Sequence, residues 1–227
     1  MFGGINVNYV FFCLEILGII AFSISGALVA IRRRFDIFGV VVVGLTTAIG
    51  GGIIRDVISG HTPPMIFSNV YLLGVSVATS VLTFLLAYVK RSKFLEIQSK
   101  IENVNNYFDA IGLSVFTIMG VETVFTYGYA DNVLLSISMG VLTGVGGGLM
   151  RDIFTNSPPY IFTKHVYALT SILGACIFYA LRIYLQNTAL STIVGISVVF
   201  ILRVLATIYH WRLPIAHVDE DCANKDK

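Results

Sequence analysis

Seven uninterrupted apolar runs of about twenty residues divide this chain, and few folds can accommodate them. A helix rising ~1.5 Å per residue crosses ~30 Å of hydrocarbon in about 20 residues. The windows that meet this length are Tyr9–Ile31, Ile37–Ile58, Val70–Val89, Phe108–Tyr129, Val133–Phe154, Val166–Leu185 and Ala189–Tyr209. Their apolar residues are continuous rather than alternating, which predicts helices and not the strands of a membrane barrel. Composition agrees. Hydrophobic residues make up 56% and charged residues 12%, where a soluble domain carries about 25% charged. The expected fold class is an all-α membrane protein with seven transmembrane helices, and its first partner is the lipid bilayer.

The first run lacks a basic segment ahead of it and is followed by Arg32-Arg33-Arg34, so it reads as a span rather than a cleavable leader. Lysine and arginine then set the direction. The first, third and fifth loops and the C-terminus hold Arg32, Arg33, Arg34, Lys90, Arg91, Lys93, Lys100, Lys164, Arg212, Lys225 and Lys227. The opposite face has only Arg182, at a helix end from which it can snorkel. That asymmetry predicts the inner (cytoplasmic) membrane, with the N-terminus outside and the C-terminus cytoplasmic.

The chain also repeats itself. Gly50-Gly51-Gly52-Ile53-Ile54-Arg55-Asp56 recurs as Gly146-Gly147-Gly148-Leu149-Met150-Arg151-Asp152, and each copy is followed by a Pro-Pro turn, at Pro63-Pro64 and Pro158-Pro159. Upstream, Gly18 and Phe22-Ser23-Ile24-Ser25-Gly26 align with Gly112 and Phe116-Thr117-Ile118-Met119-Gly120. The offset stays between 94 and 96 residues throughout. Each unit holds three spans, an odd number, so the second copy must insert upside down relative to the first. The expected organisation is a first three-helix repeat with its loop (1–101), a second, inverted repeat (102–187), a seventh helix (188–210) and a cytoplasmic tail (211–227).

Three successive glycines in mid-span cost a helix about 1 kcal/mol each relative to alanine and remove all bulk from one turn. One reading is a pair of bent helices, the second and fifth, meeting around an aqueous path through Gly50, Gly51, Gly52, Gly146, Gly147 and Gly148. The other is close helix packing of the small-residue kind. Neither triplet follows a strand or fits a nucleotide-binding loop.

Charges inside spans point to function by default, with structural ion pairing as the competitor. Arg55 and Asp56 lie toward one end of the second span, and Arg151 and Asp152 toward the opposite face from the fifth. The repeat aligns Glu15 with Asp109, which places an acid beside each arginine. Adjacent Arg and Asp point about 100° apart on a helix, so each arginine is expected to find its partner on a neighbouring helix. Glu122 and Arg203 break the symmetry. Candidate polar lining near the glycines is Ser23, Ser25, Thr46, Thr47, Thr117 and Thr143.

The four histidines show no metal-ligand spacing on one helix, so neither metal nor cofactor is expected. Cys13, Cys176 and Cys222 form no disulfide framework. Basic residues between apolar runs make no nucleic-acid stripe. No convergent nucleophile or acid–base cluster is visible, so an enzyme is not expected.

The twin Gly-Gly-Gly-x-x-Arg-Asp segments with their Pro-Pro turns resemble the prokaryotic members of the trimeric intracellular cation (TRIC) channel family, over roughly residues 9–210. The resemblance implies a homotrimer with one pore per subunit, conducting monovalent cations and chiefly potassium. It implies that glycine-kinked second and fifth helices shape the path, with Arg55, Asp56, Arg151 and Asp152 alongside. Some bacterial relatives are instead described as glycine transporters. Inverted repeats with broken helices suit a secondary transporter for a small solute equally well.

Overall fold

The structure is a computed structural model, and it describes residues 7–89, 98–163 and 166–211. The loop charges Lys90, Arg91, Lys93 and Lys164, and the tail from Arg212 onward, lie outside the described residues. Seven helices long and apolar enough to span a membrane are present among those described. They are α1 (Val7–Arg32), α2 (Ile37–Ile58), α3 (Val70–Val89), α4 (Gln98–Thr126), α5 (Val133–Phe154), α6 (Tyr167–Leu185) and α7 (Thr188–Ile208). Short helical turns at Met65–Ser68 and Tyr160–Thr163 follow the two Pro-Pro segments.

Local chemistry sets the boundaries. Asp36 caps α2 by accepting from the Gly39 amide at 2.8 Å, and Asn132 caps α5 from the Leu135 amide at 3.0 Å. These caps occupy equivalent repeat positions, so the start signal is duplicated with the helix. The fourth span differs from the sequence expectation of Phe108–Tyr129. Its helix reaches back to Gln98, so Asn105 lies within the helix and is buried rather than left in a loop. It ends at Thr126 because Gly128 takes φ +82°. Amides 128 and 129 then turn back onto Phe125 and Val124, a Schellman closure that favours glycine.

The two repeats pack alike. Within each, the first helix lies against the second and third; between them, α1 meets α4 and α2 meets α5, while α7 packs on α6 and α4. α3 is the most peripheral element and buries only Leu72, Ser76 and Ser80, leaving residues such as Val77, Leu82, Leu85 and Leu86 exposed. An exposed apolar surface of this kind suits a bilayer, whose hydrocarbon leaves apolar side chains in need of no other cover. Equivalent hydroxyl pairs join first and third helices: Ser23 to Ser76 at 2.8 Å and Thr117 to Ser171 at 2.7 Å.

The repeats interlock at the centre. Phe22 packs where a Cβ on Gly112 would stand, and Phe116 packs at 3.0 Å from where one on Gly18 would stand. The two rings are 5.3 Å apart. On the loop side, Arg33 after α1 donates to Ser157 Oγ at 2.9 Å and to the Asn156 carbonyl at 3.3 Å after α5. The first and fifth loops therefore share one face, as alternating spans require.

Candidate functional site

The glycine triplets mark the crossing of α2 and α5. Both helices run unbroken through them. A Cβ at Gly51 would collide with the Thr143 carbonyl oxygen, and one at Gly147 with the Thr47 carbonyl oxygen. Gly146 lies against Gly51 backbone. The middle glycine of each triplet thus allows backbone-to-backbone contact, the packing role among the two that the sequence left open. Gly52 is different. Among the described residues, the side-chain atom nearest its missing Cβ is Arg55 Nη2 at 3.8 Å, and Gly52 lines a cavity.

Each Arg-Asp pair sits one turn beyond its triplet, at opposite ends of the molecule. Arg55 Nε donates to Asp56 Oδ1 at 2.8 Å, and Arg151 Nε donates to Asp152 Oδ1 at the same distance. Each arginine is long enough to fold back across the 100° between neighbours and reach the next residue. Arg151 also has the expected partner on a neighbouring helix, Asp109, whereas among the described residues Arg55 pairs with Asp56 alone. The second oxygen of each aspartate accepts a loop amide after the Pro-Pro turn: Met65 N at 3.0 Å for Asp56 and Tyr160 N at 2.8 Å for Asp152. The aspartate therefore ties the re-entering chain to the helix end while fixing the arginine. Sequence reasoning missed this role. The recurrence of an Asp eight or nine residues before the residue after Pro-Pro was the signal that carried it.

The α2 end is open. A cavity of about 130 Å³ is lined there by Glu15, Gly52, Arg55, Asp56, Asn69 and Thr143, with Phe116 also in its wall. Glu15 and Arg55 share this space, and no ion pair joins them. Tyr127, just beyond α4, donates to Asp56 Oδ1 at 3.3 Å and stacks on His61 with ring centroids 3.4 Å apart. Burial and then the Asp56 charge raise its pKa, so the hydroxyl stays a donor at neutral pH.

The α5 end is closed. Arg151 Nη1 donates to Asp109 at 2.6 Å and to Ser25 Oγ at 2.7 Å, and both members of the Asp109–Arg151 pair are 0% exposed. Ser25 donates to Asn105 at 2.9 Å, and Asn105 reaches the Tyr160 hydroxyl at 3.3 Å. Arg151 also lies over the Tyr160 ring, 4.5 Å from its centroid. The symmetry-breaking charges are placed as well. Glu122 pairs with Arg182 at 3.1 Å between α4 and α6, and Arg203 sits 4.7 Å from the Tyr167 centroid.

The candidate hydroxyls divide sharply. Ser23 and Thr117 are committed to helix–helix hydrogen bonds, and Ser25 to Arg151 and Asn105. Thr46, Thr47 and Thr143 donate back to carbonyls one turn earlier. Of the six, Thr143 borders the open cavity.

A family model described as "Glycine transporter" matches the chain twice, over residues 12–88 and 106–182, in register with the internal repeat. The UPF0126 inner membrane protein YadS of Escherichia coli strain K12 is 36% identical over 210 residues, spanning 92% of this chain and 97% of the relative. A UPF0126 membrane protein of Vibrio cholerae is 37% identical over 206 residues, 89% of this chain and 81% of its own. Among solved structures, the TRIC trimeric intracellular cation channel orthologue from Rhodobacter sphaeroides has a TM-score of 0.79 at 30% identity, covering 88% of this chain and 98% of that one. A prokaryotic TRIC channel whose crystal structure was determined in 0.5 M KCl also gives 0.79, at 34% identity and with 91% and 100% covered. With both repeats, the seventh helix and nearly the full length of these relatives matched, the chain belongs to the prokaryotic TRIC channel family.

Proposed function

We propose that the chain is a potassium-permeable cation channel of the inner membrane, assembled as a homotrimer with one path through each subunit between α1, α2, α4 and α5. The observation that carries this reading is the open, charged cavity at the α2 end, which leads from Glu15, Arg55 and Asp56 to the glycine crossing. Its mixed charge suits a hydrated ion, and an apolar band surrounds it. The names of the solved relatives, cation channels, support the ion as the transported species. The α2 end faces outside and the α5 end faces the cytoplasm, by the distribution of lysine and arginine.

A secondary transporter for a small solute such as glycine is the second reading. It is favoured by one open and one closed half related by an inverted repeat, together with the description of the matching family. Purified protein in a planar bilayer under a potassium gradient should give unitary currents, and vesicles should accumulate no labelled glycine. Glycine uptake without currents would establish the transporter instead.

The orientation has its own test. In a variant free of cysteine, Thr62→Cys and Asp131→Cys should react with an impermeant maleimide from outside intact cells, and Leu95→Cys only after lysis. Labelling of position 95 in intact cells would reverse the orientation.

A further inference from the structure

Three polar atoms at the closed α5 end are buried and have no hydrogen-bond partner among the described residues. They are Asp109 Oδ2, Arg151 Nη2 and the Tyr167 hydroxyl. Their side chains meet at one glycine. From the Cβ position of Gly148, the Tyr167 hydroxyl is 2.8 Å away, Arg151 Nη2 3.6 Å and Asp109 Oδ1, the other oxygen of the same carboxylate, 3.6 Å. Gly148 is the repeat equivalent of Gly52, which opens onto the cavity at the other end. Leaving a donor, an acceptor and a hydroxyl unsatisfied together is costly in a low-dielectric interior, and a glycine at their centre keeps space between them.

We propose that Gly148, Asp109, Arg151 and Tyr167 enclose a site that holds a water molecule, the occluded counterpart of the open cavity around Gly52. Its chemistry is specified by the donors. Arg151 Nη2 can only donate, Asp109 Oδ2 can only accept, and the Tyr167 hydroxyl can do either. A water that accepts from Arg151 and donates to Asp109 satisfies both and still reaches the hydroxyl, which is the two-to-four-partner environment of an internal water. Charge argues against an ion. Arg151 and Arg203 are balanced by Asp109 and Asp152 in the same cluster. A cation or anion added there would be uncompensated. The tyrosine is what distinguishes this end. Tyr167 is 2% exposed against Gly148, whereas its repeat equivalent Tyr71 is 84% exposed and leaves the Gly52 cavity open.

Pulsed hydroxyl-radical footprinting tests the site without relying on flux, because radicals made from bound water label the side chains they touch. Folded protein in lipid nanodiscs should show Tyr167 oxidised several-fold more than Phe178, which is equally buried in an apolar cluster. Gly148→Ala puts a methyl group into the site and should bring the label at Tyr167 down to the Phe178 level, with exposed Tyr129 unchanged. If Gly148→Ala does not fold, Tyr167→Phe removes one of the three partners and should lower the label at 167 in the same way. Wild-type Tyr167 labelled no more than Phe178 would overturn the proposal. So would a label undiminished in the variant that folds, since it would report transient opening instead. Replacing potassium by an impermeant organic cation should leave the label unchanged, and a rise on potassium removal would mean that an ion occupies the site.

Discussion

Replacing Gly51 or Gly147 by leucine is expected to abolish flux and sharply reduce recovery of folded protein, whereas Gly52→Ala leaves recovery near wild type. The contrast follows from what each missing Cβ would meet. At Gly51 and Gly147 it meets a backbone carbonyl oxygen of the opposite helix, which cannot move without separating α2 from α5. Overpacking typically costs ~1–3 kcal/mol for added methylenes that neighbours can partly accommodate, and here they cannot. At Gly52 the nearest atom is the end of a flexible arginine at 3.8 Å. Thermal melts of the detergent-solubilised variants, with flux measured in vesicles, separate the cases. A wild-type melt for Gly51→Leu would refute the backbone crossing, and a lost melt for Gly52→Ala would refute the open face.

Asp109→Asn carries the second large effect. Removing one member of a buried ion pair typically costs ~3–5 kcal/mol, because the other charge stays behind without compensation. Asp109 and Arg151 are both 0% exposed, and the same arginine holds Ser25 and Asp152. Loss of the folded form on mild heating is the expected readout, and Arg151→Gln should do the same. The double variant should lose less than the sum of the two, since each single change already breaks the shared contact. Strict additivity would show that the pair does not act as one. At the other end, Arg55 is 12% exposed and borders the cavity, so Arg55→Gln should alter flux far more than stability.

The spans were legible because hydrophobic length is a requirement of the bilayer and survives any detail of packing. The repeat was legible for the same kind of reason: a glycine triplet that lets two backbones touch must appear on both helices. What the alignment could not convey was the difference between the two ends. Glu15 and Asp109 occupy equivalent positions, yet only Asp109 reaches its arginine. Ser25 and Asn105 hold Arg151 in place, whereas Met119, the repeat equivalent of Ser25, lines the open cavity instead. The aspartate-to-loop bonds were hidden because their partner is a backbone amide, which carries no residue identity. Likewise a serine in a span looks the same whether it faces water or, as Ser23 does, another serine across a helix contact.

The exchange of Phe22 into Gly112 and Phe116 into Gly18 means that neither three-helix unit completes its own interior. A free unit would present one unfilled notch and one protruding ring, and an inverted copy of itself supplies the match for both. A gene encoding a single unit would therefore have needed its product to insert in both directions in the same membrane, with loop charges nearly balanced. Fusing two copies removes that need. Each half is then free to acquire its own charge bias, and the Arg32-Arg33-Arg34 cluster beside α1 is the kind of mark such a division of labour leaves.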